Sequence, residues 1–219
     1  MKKTAYPVST QKNLVAPDSF FTREILAQSW IIEFNGNEFI HKETEKLNHL
    51  FYILDGKAKI LKNQTNGKRM ILQFLGEQDF IGELTLVGAE SLTKDVVSIG
   101  KTICLALPMT YAAEELMNDL AFVKKLSCYI GEKLLARMEH FTTNQTFELK
   151  YRLAELLLTV SVDNSYKEKH TEIAEYLGVS YRHLLYTLKN FRNAGLIEKQ
   201  GTHYLIDSKK IQQLLAEIR

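Results

Sequence analysis

The chain has 219 residues, 45% of them hydrophobic, with 28 lysines and arginines against 26 acidic residues for a net charge of +2. That length is generous for one compact unit and the apolar fraction suffices for real cores, so two domains are expected. A near-neutral chain is not a general polyanion binder; the basic excess is local, in the segment from Thr146 onward. No run of about 18 apolar residues is present to span a bilayer. Met1-Lys2-Lys3 leads into Thr4-Ala5-Tyr6-Pro7 and not into an apolar signal core, so a cytoplasmic protein with no membrane partner is expected. Two cysteines, Cys104 and Cys128, cannot build a disulfide framework or a four-thiolate zinc or iron–sulfur site; both are expected as small buried hydrophobes.

Residues 1–29 read as an irregular arm containing Pro7 and Pro17, followed by a short helix from Asp18 to Ser29 with Phe21, Ile25 and Leu26 on one side. From Trp30 to Pro108 the period changes to short β-branched and aromatic runs: Trp30 to Phe34, Glu38 to His41, His49 to Leu54, Lys57 to Leu61, Arg69 to Leu75, Phe80 to Leu84, Val96 to Ile99 and Ile103 to Leu107. Turn signals at Asn35-Gly36, Asp55-Gly56, Asn66-Gly67 and Gly76 separate them. Short strands at this spacing predict a closed or jelly-roll-like antiparallel barrel over residues 30–108.

Residues 109–145 hold a brief helix, Met109 to Met117, and the longest helical stretch, Asp119 to about Thr143. Leu120, Val123, Ser127, Ile130, Leu134, Arg137 and Phe141 fall on one heptad seam, flanked by Leu126, Leu135 and Met138. Roughly 25 residues at 1.5 Å each make about 37 Å of helix, longer than a small domain needs for itself. Such a seam invites a partner helix; the alternative is an amphipathic helix lying on its own barrel. Arg137 is expected at a splayed end or paired with Glu132 or Glu139, and a hinge is placed at Thr142 to Gln145.

Residues 146–219 begin with an amphipathic helix, Thr146 to Val162, carrying Phe147, Leu149, Leu153, Leu156, Leu157 and Val160, ended by Asp163-Asn164-Ser165. Then HTEIAEYLGVSYRHLLYTLKNFR, from His170 to Arg192, reads as two short helices around a tight turn. Ile173, Ala174 and Leu177 form the apolar face of the first; Leu184, Leu185 and Leu188 form that of the second. Gly178 suits the left-handed turn, Ser180 the cap of the second helix, and the small Ala174 lets the two approach. This is the helix-turn-helix pattern, whose second helix enters the DNA major groove. An αα-hairpin of another helical domain is the alternative. The outer face of the second helix carries Tyr181, Arg182, His183, Tyr186 and Lys189 and no carboxylate. LIEKQGTHYLI adds a hairpin around Gln200-Gly201, a wing, and SKKIQQLLAEIR a last helix that packs against it.

HLFYILDGKAKILKNQTNGKRMILQFLGEQDFIGELTLV resembles the cyclic-nucleotide-binding-type β-roll of the catabolite activator and FNR (CRP/FNR) family of bacterial transcription factors. The order of roll, long helix and winged helix-turn-helix matches from about Trp30, and HTEIAEYLGVSYRHLLY, with CLALPM before the long helix, is most similar to the YeiL-type branch. The resemblance implies an α+β chain: an N-terminal antiparallel β-roll, a long dimerisation helix and a C-terminal winged helix-turn-helix. It implies a homodimer on double-stranded DNA, joined through Leu120, Val123, Ser127, Ile130, Leu134 and Phe141, with RNA polymerase as a further partner of an activator. Arg182 is the choice for base readout, since a guanidinium pairs bidentately with guanine. Tyr181 and Tyr186 would meet thymine methyls or phosphates, and Ser180, His183, Lys189, Lys199 and Thr202 phosphates. Tyr181 stands where the catabolite activator carries a base-reading arginine.

Cyclic-nucleotide-binding relatives open a phosphate cassette with Gly-Glu-Leu, and Gly82-Glu83-Leu84 matches. The phosphate arginine's place falls at Thr93, beside Lys94 and Asp95, and the long helix shows Leu135 to Met138 instead of a Thr-Ser pair that reads the base. Gly82, Glu83, Leu84 and Lys94 are the candidate pocket, but cyclic nucleotide is disfavoured, and Gly82 and Glu83 are expected to serve a turn and its hydrogen bond. An iron–sulfur cluster is disfavoured because residues 1–30 lack cysteine, and haem because His41 and His49 read as surface or core residues. No metal site is expected. A cupin enzyme needs converging histidines and a carboxylate; His41, His49 and Glu83 are too scattered, and no nucleophile elbow or P-loop appears. An apolar ligand in the roll and an adaptor whose winged helix binds protein remain the alternatives, the latter marked by weak salt dependence.

Overall fold

A computed structural model describes residues 6–7, 20–64, 67 and 69–217. In chain order the elements are β1 (Tyr6–Pro7), α1 (Arg23–Ala27), β2 (Trp30–Phe34), β3 (Phe39–His41), β4 (His49–Asn63), β5 (Arg69–Leu75), β6 (Phe80–Ile81), α2 (Glu83–Leu86), β7 (Asp95–Pro108), α3 (Met109–Glu114), α4 (Leu120–Thr146), α5 (Leu149–Val160), β8 (Ser165–Tyr166), α6 (His170–Tyr176), α7 (Tyr181–Asn193), β9 (Ile197–Gln200), β10 (His203–Ile206) and α8 (Ser208–Ala216). The expected irregular arm lies almost wholly outside the described residues. No helix among the described residues is long and apolar enough to cross a membrane.

The chain divides into two compact units, Met1–Leu61 with Leu75–Leu134, and Lys62–Phe74 with Leu135–Arg219. The first is built on an antiparallel sheet in which β7 pairs with β2, β3 and β4. Two apolar clusters fill it. One, with Phe34, Ile40, Phe51, Ile53 and Cys104, lies on one side of the strands; the other gathers Phe21, Leu50, Tyr52, Phe80, Phe122 and Leu126 under α1, α3 and α4.

Several boundaries depart from the sequence pattern. Asp55-Gly56 does not reverse the chain: β4 is one strand of 15 residues, paired with β7 from His49↔Pro108 to Leu61↔Asp95, with register shifts on either side of Asp55. The expected break between Ile99 and Ile103 likewise lies inside the 14-residue β7. The reason is a bulge, which bends a strand without ending it. Gly56 has φ +90, and a Cβ there would clash with the Lys101 carbonyl oxygen, so the two backbones cross closely only because the side chain is absent. The strand expected over Phe80 to Leu84 stops at Ile81, where Gly82, at φ +96, turns the chain into α2.

The helix from Asp18 to Ser29 is shorter, Arg23–Ala27, capped by Thr22. α4 runs through the expected hinge to Thr146; Thr142 and Thr146 fold their hydroxyls back onto carbonyls four residues earlier, so their polar groups are satisfied within the helix without ending it. The interruption comes at Phe147 and Glu148, and Phe147 stays exposed outside α5. Arg137 pairs with neither glutamate; its Nε donates to Gln73 Oε1 at 2.8 Å. Leu126 does not flank an outer seam but is buried in the unit's own core, and Ile130 leans on that core. Cys104 is buried as expected and Cys128 is exposed.

Replacing Gly56 by alanine should destabilise the protein by more than about 1 kcal/mol, since it adds a Cβ at positive φ against a fixed backbone. Urea unfolding with an unchanged m-value would check this.

Candidate nucleic-acid interface

In the second unit, α6 and α7 are joined by a turn in which Gly178 takes φ +65 and its N–H donates to Glu175 O. Ser180 caps α7, its Oγ accepting from the His183 N–H at 3.2 Å. Ile173, Ala174 and Leu177 are buried, as are Leu184 and Leu188. Leu185 is not: the buried stripe of α7 runs Leu184, Thr187, Leu188 and Phe191, the i, i+3, i+4, i+7 set. Thr187 joins it because its hydroxyl donates to His183 O at 3.1 Å.

The opposite face presents Tyr181, Arg182, His183, Tyr186 and Lys189, all exposed, with Leu185, Asn190 and Arg192. No residue of α7 is acidic. β9 and β10 form the wing, registered from His203↔Gln200 to Ile206↔Ile197, and Lys199 and Thr202 are exposed on it. β8 pairs with β10 through Tyr166↔Tyr204, and His170 packs against both of those rings, at 5.8 and 5.7 Å. Burial and the neighbouring Lys199 hold the imidazole below the ordinary histidine pKa. α8 is capped by Asp207, which accepts from the Lys210 N–H, while Ser208 donates to Asn164. Every residue that the sequence marks for DNA is thus exposed on α7 or the wing, Ser180 at its cap. Sequence reading missed the outward position of Leu185, for which its i+3 spacing from Arg182 was the available signal.

Two family models match the chain: a cyclic nucleotide-binding domain over residues 31–119 and a Crp-like helix-turn-helix domain over residues 151–216. The regulatory protein YeiL of Escherichia coli is 37% identical over 193 residues, covering 88% of each chain. The chain belongs to the CRP/FNR family of transcription regulators. This regulator is also 26% identical, over 72% of its length and 80% of the relative's, to the cAMP-activated global transcriptional regulator CRP of Escherichia coli. A crp/fnr-family transcriptional regulator from Eubacterium rectale has the same fold at 15% identity, with a TM-score of 0.70 over 96% of this chain and 98% of that one. The family is one of transcription regulators and not of enzymes.

The segment that the sequence marks as a candidate pocket is occupied by the regulator's own side chains. Glu83 and Lys133 are only 4% and 8% exposed. Lys133 Nζ donates to Glu83 Oε1 at 2.8 Å, to Tyr129 Oη at 3.1 Å and to Phe80 O at 3.4 Å. Tyr129 Oη in turn donates to Asp79 Oδ1 at 2.8 Å and accepts from the Phe80 N–H at 2.9 Å. Burial first, then Asp79 and Glu83, push that phenol's pKa up. Lys94 is engaged elsewhere, by Glu90 at 3.5 Å and Glu43 at 3.7 Å, and Thr93 shares a hydrogen bond with Thr85 at 2.6 Å. Glu83 and Lys94 therefore serve separate ion pairs and do not converge on one anion.

Lys133→Met, which leaves Glu83 buried without its cation, should cost about 3 kcal/mol. Glu83→Leu combined with Lys133→Met should recover most of that loss, as read by thermal and denaturant unfolding.

Proposed function

We propose that this regulator is a homodimer that binds double-stranded DNA sequence-specifically, with α7 in the major groove. The observation that carries the reading is the outer face of α7, where Tyr181, Arg182, His183, Tyr186 and Lys189 stand exposed with no carboxylate on the helix. In this reading Arg182 reads guanine through its planar fork. Tyr181, Tyr186 and the unexpectedly outward Leu185 meet thymine methyls or, for the tyrosines, phosphates. Ser180 spends its lone pair on its own cap and keeps its O–H for a phosphate; His183, Lys189, Lys199 and Thr202 hold the backbone and fix register. RNA polymerase is a further partner if the regulator activates.

Support for the dimer comes from α4. Leu134, Leu135, Met138 and Phe141 are 57%, 65%, 58% and 64% exposed, and Leu120 and Ser127 share their outward side. Val123 and Ile130, also expected on the seam, are half-buried. An apolar stripe of this kind on a regulator is suited to a second copy of the same helix.

The regulator works, in this reading, without cyclic nucleotide, in contrast to the cAMP-activated relative. The residues present do not fit that ligand: Glu83 is held by Lys133, Lys94 by two glutamates, and Thr93 takes the place of a phosphate-binding arginine. The proposal includes no iron–sulfur cluster, haem or other metal; Cys104 is buried in β7 and its thiol is pushed up by that burial, a poor thiolate donor.

Selection of duplexes from a random library, followed by titration at several salt concentrations, tests the reading. A two-fold consensus with half-sites about 34 Å apart, a steep salt slope and no response to added cAMP are expected; a flat slope would assign the winged helix to a protein partner. Arg182→Ala should lose about 1 to 3 kcal/mol and relax preference at one base position. Phe141→Asp should sediment as a monomer and bind DNA at least about tenfold more weakly, since a charge on the stripe opposes its burial.

A further inference from the structure

The last carbonyls of a helix lack partners inside it and must find them elsewhere. At the end of α6 the carbonyls of Ile173, Ala174 and Glu175 accept from the N–H groups of Leu177, Val179 and Gly178. The next two are held by side chains of other helices. Asn144 Nδ2, on α4, donates to Tyr176 O at 3.3 Å, and Arg152 Nη1, on α5, donates to Leu177 O at 2.6 Å. The same Arg152 nitrogen reaches Asn144 Oδ1 at 3.3 Å, so the two side chains brace each other. Leu177 is 1% exposed, which leaves its carbonyl no water to turn to. All of these residues lie in the second unit.

The neighbours of the Asn144 amide fix which way it faces. A guanidinium only donates and a carbonyl only accepts, so Oδ1 is turned to Arg152 and Nδ2 to Tyr176 O. Nδ2 also stands 3.5 Å from Nδ1 of His140, one turn back on α4. An amide N–H at that place suits only an imidazole whose Nδ1 accepts, hence a neutral ring. The ring lies against that of Tyr176, with centroids 4.6 Å apart. Glu139 of α4, Arg152 and Glu155 of α5 and Tyr176 of α6 are the titratable groups around it, lining with it a cavity of about 270 Å³. Burial, opposed by Glu155 and aided by Arg152, holds the imidazole below the ordinary histidine pKa. Tyr176, pushed up to about 12 by burial and Glu155, stays neutral.

We infer that Asn144 and Arg152 are positioning residues for α7, a clasp on the end of α6 that His140 opens when it takes up a proton. A protonated Nδ1 is a donor aimed at the donor of the amide, and Asn144 keeps its hold on Tyr176 O only against that repulsion. Gly178 follows in the chain and Ser180 caps α7 two residues later, so release at the end of α6 reaches the helix that carries Arg182. The consequence for DNA rests on the function proposed above; the geometry of the clasp does not. Because the fold depresses the pKa of His140, the contribution of the clasp is complete above about pH 6.5 and is lost as the pH falls below it.

Affinity of the full-length regulator for a selected duplex, measured at about pH 7.5 and about pH 5.5, tests the clasp. On acidification the wild type should lose about fivefold more affinity than His140→Phe, the size of one neutral hydrogen bond. That variant keeps a ring against Tyr176 and takes up no proton. His170, His183 and His203 titrate in both proteins, so the ratio isolates His140. Asn144→Asp should bind more weakly at the higher pH and lose nothing further, since a carboxylate accepts from an imidazolium; it carries the comparison if His140→Phe does not fold. Hydrogen exchange needs no DNA: protection factors at Gly178 and Val179 should fall about fivefold in the wild type while those of β9 and β10 hold. Parallel pH profiles for all three proteins would overturn the role of His140. Unchanged protection at Gly178 and Val179 would overturn the clasp. Failure of every protein to bind any duplex counts against the DNA reading alone, and the exchange measurement then decides the clasp.

Discussion

Lys133 is a charge placed where an amphipathic helix would ordinarily bury a leucine, and much of the first unit depends on how that charge is matched. Taking an ammonium out of water costs several kcal/mol, and a partner offsets this only when the geometry is close and the remaining donors are satisfied. Here the carboxylate of Glu83, the hydroxyl of Tyr129 and the carbonyl of Phe80 supply that shell, and Asp79 completes the network behind Tyr129. The aromatic packing of Phe80 against Phe20, Tyr52 and Tyr129 surrounds it with apolar atoms, which strengthens each of those bonds and makes any one of them costly to leave unmade.

The same network decides what α4 can do. Phe122, Leu126 and Lys133 recur on one face, so anchoring Lys133 fixes the rotation of the helix about its own axis. The apolar residues left over, Leu134, Leu135, Met138 and Phe141, stay exposed. A polar pair thus does for specificity what apolar burial alone does not, because leucines tolerate several rotations and a buried ion pair tolerates one. Helix α7 divides its labour in a similar way. Its buried stripe and the Ser180 cap hold it in place, while its outer face spends almost nothing on stability and is free to carry cations and rings.

The winged helix-turn-helix was legible because its signals are local. Ala174, Gly178 and Ser180 each act within one or two turns of chain, and Gln200-Gly201 closes a hairpin between adjacent runs. Leu185 was misplaced because three leucines in a span of five fit two overlapping stripes, and only packing against α6 and the wing selects Leu184, Thr187, Leu188 and Phe191. The strands of the roll were recognised but not their continuity. Asp55-Gly56 has the composition of a reversing turn, and the feature that makes it a bulge is the backbone of Lys101, about forty-five residues away in sequence.

The sequence by itself determined the helix-turn-helix and its wing, the cation-bearing outer face of α7 and the amphipathic character of the long helix, which follow from periodicity, caps and turn chemistry over short stretches, while the family architecture came from the resemblance of longer ones. Only the tertiary structure decided that Glu83 is neutralised from within by Lys133, and that Leu126 and Ile130 turn inward while Phe141 stays exposed. Glu83 and Lys133 stand fifty residues apart, and no local pattern names a charged residue's partner at that separation. Which side chain meets which is settled by how strands and helices close around one core, where the desolvation of each polar group must be matched by whatever the fold brings beside it.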